Sequence, residues 1–147
     1  MTTRLSNSPQ GSSANTLVSI LINPWIARIG LLAVCSVYIV GGLWKALNFH
    51  DAIAEMEHFG LNPGPAFALA TLCLELIAPV LILTGRYRWL AAGALGAFTF
   101  CANLLANRFW ELSGVERFMT MNGFFEHIGL VGAFILIAWQ DLRSKQA

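Results

Sequence analysis

Charge is scarce in this chain. Lys, Arg, Asp and Glu together make up 12% of 147 residues, about half the share usual in soluble domains. What charge there is does not spread along the chain at amphipathic spacing, as a soluble fold of this size requires. Formal net charge is +1 and no basic stripe is present, which excludes nucleic acid as a partner. No glycine-rich dinucleotide fingerprint and no cysteine pattern of an iron–sulfur cluster occurs. The three cysteines, Cys35, Cys73 and Cys101, are far apart and form no Cys-x-x-Cys. That removes thioredoxin-like and zinc sites. They read as small apolar packing residues, with a redox pair between two helices as the alternative. No cleavable signal peptide is evident: the first apolar run is too long for one and no small-x-small site follows it. Residues 1–22, rich in Ser, Thr and Asn, read as a disordered or interfacial tail.

What the chain does have is four long apolar stretches, at 25–47, 65–84, 87–106 and 123–140, separated by polar breaks. Each approaches the roughly 20 residues that a helix needs to cross about 30 Å of hydrocarbon. The expected fold is all-α: a four-helix transmembrane bundle over residues 23–141, followed by a short tail, 142–147. Asn23-Pro24 suits the start of the first span, as N-cap and first-turn proline. Between the first two spans, Phe49, Ile53, Met56 and Phe59 recur at helical spacing. They predict a short interfacial helix in the first outer loop, closed by Gly60 and the Asn62-Pro63-Gly64 turn. The tight Arg86-Tyr87-Arg88 break predicts an antiparallel hairpin of the second and third spans. Segment 107–122 reads as a loop with one helical turn around Val115–Met121, and the fourth span is expected to begin at Asn122-Gly123.

Positive charge sets the expected orientation. Arg4, Arg28, Arg86, Arg88, Arg143 and Lys145 lie on the side of both termini; Lys45, Arg108 and Arg117 lie on the other. Six against three predicts a multi-pass plasma-membrane protein of the bacterial inner-membrane kind, with both termini cytoplasmic. Trp25, Trp89 and Trp139 fall at the expected cytoplasmic ends, Trp44 and Trp110 at the outer ends, as an interfacial aromatic belt requires. Arg28, near the start of the first span, can snorkel to headgroups. The pairs Gly93/Ala97, Ala92/Gly96 and Gly129/Ala133 are small-xxx-small motifs expected on packing faces.

Ionisable groups at membrane depth are costly and mark function by default. Glu75 stands near the middle of the second span. Pro79, four residues on, has no N–H for the carbonyl of residue 75 and kinks the helix. Lys45 is the nearest cation by depth. The pair reads either as a structural ion pair or as a proton-handling or ligand-binding centre. Asn103 in the third span and Glu126-His127 in the fourth lie at similar depth. Together Lys45, Glu75, Asn103, Glu126 and His127 predict one polar pocket opening outward, with Glu75 and His127 as candidate catalytic groups. His50 and His58, among Asp51, Glu55 and Glu57, match no strong ligand motif and read as a solvated face rather than a metal site.

Five elements occur in a telling order: Gly41-Gly42-x-x-Lys45, Phe59-Gly60 with Pro63, Glu75 through Leu83 with Gly85, Phe109-Trp110, and Gly129-x-x-Gly132. In order and spacing they resemble the DoxX family of small four-helix membrane proteins, over about residues 26–140. That resemblance implies membrane redox chemistry, since the family takes its name from a subunit linked to thiosulfate:quinone oxidation. Some members are tied to oxidoreductase assemblies in thiol and oxidative-stress defence. It also implies that Lys45 and Glu75 form the family's polar site. Two departures stand out. Asn107-Arg108 precede Phe109-Trp110 where members often have His, and Glu126-His127 stand where many have Lys-Asn. The implied function is an accessory subunit of a quinone- or thiol-linked oxidoreductase. No intrinsic cofactor is expected, but a quinone, an oxidoreductase partner or a second copy of the chain would serve as ligand or partner. A non-catalytic anchor and a small-solute transporter are the alternatives.

Overall fold

A computed structural model describes residues 18–19 and 22–146; most of the tail read as disordered lies outside them. From residue 22 on, the described residues form five α-helices: α1 Pro24–Leu47, α2 Phe49–His58, α3 Gly64–Thr84, α4 Arg88–Ala106 and α5 Gly114–Ser144. A 3-10 turn, Phe109–Glu111, joins the last two. Helices α1, α3, α4 and α5 are long and apolar enough to cross a membrane. The four-span bundle with a short helix in its first loop is therefore as expected. At the start of α1, the Asn23 side chain accepts the Trp25 N–H at 3.0 Å, with Pro24 in the first turn. The α3–α4 hairpin turns on Gly85, at φ 79°, a left-handed conformation that glycine takes without a Cβ clash. Arg88 Nε donates to the Ile82 carbonyl at 2.8 Å and satisfies an end of α3.

The segment after α4 differs from the sequence reading. Its helical turn and the fourth span are one helix, 31 residues long. Nothing between Ser113 and Ser144 breaks it: there is no proline, and Gly123 sits within the helix without ending it. The helix also continues through Ser144, into the segment read as the C-terminal tail.

Inward positions recur about every seven residues. On α1 they are Cys35, Tyr38 and Gly42; on α3 Ala68, Thr71, Glu75, Ala78 and Ile82; on α4 Ala92, Leu95, Gly96, Thr99 and Asn103. This is the seam of left-handed helix packing. The dense core lies toward the termini, where Cys35, Ile82, Ala92, Leu95 and Phe134 are fully buried. Ala92 and Gly96 form a real contact face, since a Cβ on Gly96 would sit 3.3 Å from the Phe134 Cβ. The other two small pairs do not pack as expected. Gly93 and Gly129 are exposed, and a Cβ at either would have no neighbour within 4 Å, because the periodicity turns them toward lipid. All five tryptophans are exposed, Trp25, Trp44 and Trp89 within a turn of helix ends, Trp110 on the 3-10 turn and Trp139 toward the end of α5. The Arg28 guanidinium lies over the Trp25 ring, 5.0 Å from its centre, toward the start of α1.

Helix α2 turns its apolar side onto the bundle: Ala52 and Met56 are buried against Ala68, flanked by Phe49, Ile53 and Leu61. At the opposite end, Asp141 ties α5 to α4. It is buried, accepts the Trp89 backbone N–H at 3.2 Å and receives Lys145 Nζ at 2.6 Å. A carboxylate at this place satisfies an orphan amide and faces the positive end of the α4 dipole. Asp141→Ala is expected to cost about 1–2 kcal/mol in denaturant titration of the purified protein. Asp141→Asn, whose amide oxygen still accepts from Trp89, is expected to cost less.

Candidate functional site

Where the dense core ends, on the side of α2, the bundle is hollow. A cavity of about 570 Å³ lies between α1, α3 and α4, roofed by α2 and edged by α5. That size is within the range of small-molecule sites. Its walls are apolar: Val37, Phe67, Leu74, Phe98 and Leu105 among them. Val37, Phe67, Ala70 and Cys101, on three of the spanning helices, line it and are exposed, so the cavity is open between those helices.

The polar end is built on the inward rows. Lys45 is one heptad beyond Tyr38 on α1, and Glu75 is one turn beyond Thr71 on α3. Lys45 Nζ lies 3.2 Å from both Glu75 Oε1 and Oε2. Their side chains are only 13% and 8% exposed, so Glu75 is buried and Lys45 largely so. Glycines at 41 and 42 let α1 approach α3 here. A Cβ on Gly41 would meet Glu75 Oε2 at 3.4 Å, and one on Gly42 would meet Leu76 Cδ2 at 2.8 Å. Pro79 is buried one turn beyond Glu75.

The other expected groups divide. Asn103 and His127 line the same cavity as Lys45 and Glu75. Asn103 is buried, donates Nδ2–H to the Phe124 carbonyl at 3.1 Å, and accepts Asn107 Nδ2–H at 2.8 Å. His127 Nδ1 is 2.6 Å from the Gly123 carbonyl. A carbonyl only accepts, so Nδ1 carries a proton, and the neutral form of the ring keeps Nε2 as an acceptor. Glu126 is exposed and does not line the cavity: one residue from His127 on a helix, it is turned about 100° away. His50 and Asp51 are exposed as well.

Sequence reasoning missed three buried hydroxyl-bearing residues of the lining. Tyr38, Thr71 and Thr99 line the cavity, all buried. Thr99 Oγ1 donates to the Leu95 carbonyl at 2.6 Å, so the 2.6 Å contact with Tyr38 Oη has Tyr38 as donor. The signal was available: Tyr38 to Lys45, and Thr71 and Thr99 one turn before Glu75 and Asn103, share the heptad rows. Glu55 of α2 also faces the cavity.

Fold and site together define a small four-span membrane protein with an amphiphile-sized cavity and a charged inner end. The DoxX family model matches residues 25–108, more than half of the chain, and the chain belongs to the DoxX family. The match covers the cavity's α1–α4 walls and stops before Phe109-Trp110. The chain is also 24% identical over 115 residues to the inner membrane protein YphA of Escherichia coli K12, covering 78% of this chain and 82% of that one. No solved structure gave a significant match.

Proposed function

We propose that this protein is an accessory subunit of an inner-membrane oxidoreductase and holds a quinone-type lipid in the cavity, head toward Lys45–Glu75. The carrying observation is the cavity itself, with apolar walls open between spanning helices and a largely buried ion pair, Asn103 and His127 at its polar end. A long isoprenoid tail fits the walls and the opening; a hydrogen-bonding head fits the end. A bound quinone supplies paired electron and proton transfer. The chain's own part is to seat the head, exclude bulk water and offer Glu75 and His127 Nε2 as proton acceptors. The name of the Escherichia coli relative supports an inner-membrane location, and the lysine and arginine count supports cytoplasmic termini.

The test is native purification in mild detergent, with mass spectrometry of bound proteins and lipophilic cofactors. A bound quinone, or a stoichiometric oxidoreductase partner, is expected in the wild type and lost in Glu75→Gln. A clean protein with neither would favour a non-catalytic anchor. Glu75-dependent solute flux in proteoliposomes would favour transport.

A further inference from the structure

We propose that the cavity selects a head that donates hydrogen bonds. It takes the reduced, quinol form of a phenolic lipid over the quinone form, and over an anionic lipid. This rests on the quinone-linked reading above and adds to it which redox form the site holds.

The argument is an inventory of donors and acceptors. Lys45 directs its ammonium at both oxygens of Glu75, leaving one N–H for a ligand. The Tyr38 proton is committed to Thr99, and the Thr99 proton to the Leu95 carbonyl. Asn103 has given one amide hydrogen to Phe124, and Asn107 has given one to Asn103. Their second amide hydrogens, the Thr71 hydroxyl, which accepts as readily as it donates, and the weak Cys101 S–H complete the donors. The acceptors are stronger, because two of them are carboxylates. The Glu75 carboxylate keeps free lone pairs, Glu55 brings a second carboxylate to the same cavity, His127 in its neutral form keeps Nε2, and Tyr38 keeps lone pairs on Oη.

Charge points the same way. Two carboxylates, Glu55 and Glu75, face one ammonium, Lys45, so these three groups leave the cavity an excess of negative charge. A carboxylate or phosphate head would enter against that charge in a low-dielectric space. A quinone only accepts: it can take the one remaining Lys45 N–H and neutral donors, but has no hydrogen to give the carboxylates. A quinol brings two O–H groups, and an O–H donated to a carboxylate is a charge-assisted bond, roughly twice as strong as a neutral one.

The probes are decylubiquinol, decylubiquinone and oleate, offered separately to the full chain in nanodiscs of neutral lipid under anaerobic conditions. Bound ligand is quantified after extraction. Decylubiquinol is expected to bind at least tenfold tighter than decylubiquinone, with oleate weakest. Glu55→Gln removes the carboxylate at an exposed position, leaves the Lys45–Glu75 pair in place, and is expected to reduce that ratio severalfold. Equal or tighter binding of the quinone overturns the selectivity while the quinone-linked function stands. A ratio unchanged by Glu55→Gln, or oleate binding tightest, overturns the charge argument. Retention of neither quinol nor quinone overturns both this inference and the function it rests on.

Discussion

Lys45→Ala is expected to lower stability by about 3 kcal/mol in SDS titration of the protein in mixed micelles. The loss does not measure what the ion pair contributes. Removing one partner of a buried pair strands the other charge without water or counter-ion, and that is where the cost arises. The two ends of this pair should behave differently. Without Glu75, Lys45 stands two residues from the end of α1, and its long stem can carry the ammonium toward the headgroups. Without Lys45, Glu75 stays in mid-helix on a short side chain. Lys45→Ala is therefore expected to cost more than Glu75→Ala. Lys45→Met with Glu75→Leu, which replaces both charges by apolar volume, should recover most of the loss while abolishing ligand retention. A double variant as unstable as either single one would show that the pair itself holds α1 against α3.

Gly42→Val is expected to be at least as damaging, for a purely steric reason. A Cβ at this position meets Leu76 Cδ2 at 2.8 Å, Leu76 Cγ at 2.9 Å and Glu75 Cβ at 3.2 Å. A leucine tip can swing aside; a Cβ fixed to its backbone cannot, so α1 must move off α3. Overpacking of this kind costs about 1–3 kcal/mol even without helix displacement. Here it also pulls Lys45 from Glu75, so a loss of about 3 kcal/mol or more is expected in the same titration. Gly93→Ala is the control. Nothing lies within 4 Å of its Cβ position, and alanine is expected to gain up to about 1 kcal/mol from helix propensity.

The spans were legible because a run of about 20 apolar residues has few other uses, and because Trp and Arg gather at helix ends. The depth of Lys45, Glu75, Asn103 and His127 was legible from residue counting. Rotation was harder to read. In a membrane protein both the lipid face and the packing face are apolar, so hydropathy does not separate Gly93 from Gly96 or Glu126 from His127. The inward rows are marked by small and hydroxylated residues instead, such as Gly42, Ala68, Thr71 and Thr99, and these looked unremarkable one at a time. The missed start of α5 has a related cause. Gly114–Met121 carries Glu116 and Arg117 beside exposed Val115, Phe118 and Met119. Polarity suggested a loop, while the absence of any breaker allowed the helix to continue.

At 1.5 Å per residue the 31 residues of α5 extend about 46 Å, more than the hydrocarbon thickness of a typical bilayer. A rod of that length accommodates a thin bilayer by leaning. It is pinned at one end, where Asp141 holds the Trp89 amide at the start of α4, and at cavity level Asn103 of α4 holds the Phe124 carbonyl of α5. Lean in α5 is thereby passed to α4, which supplies much of the cavity wall. The spacing between Asn103, His127 and the Lys45–Glu75 pair is expected to respond to membrane thickness, with lipid chain length in reconstituted bilayers as the variable that tests it.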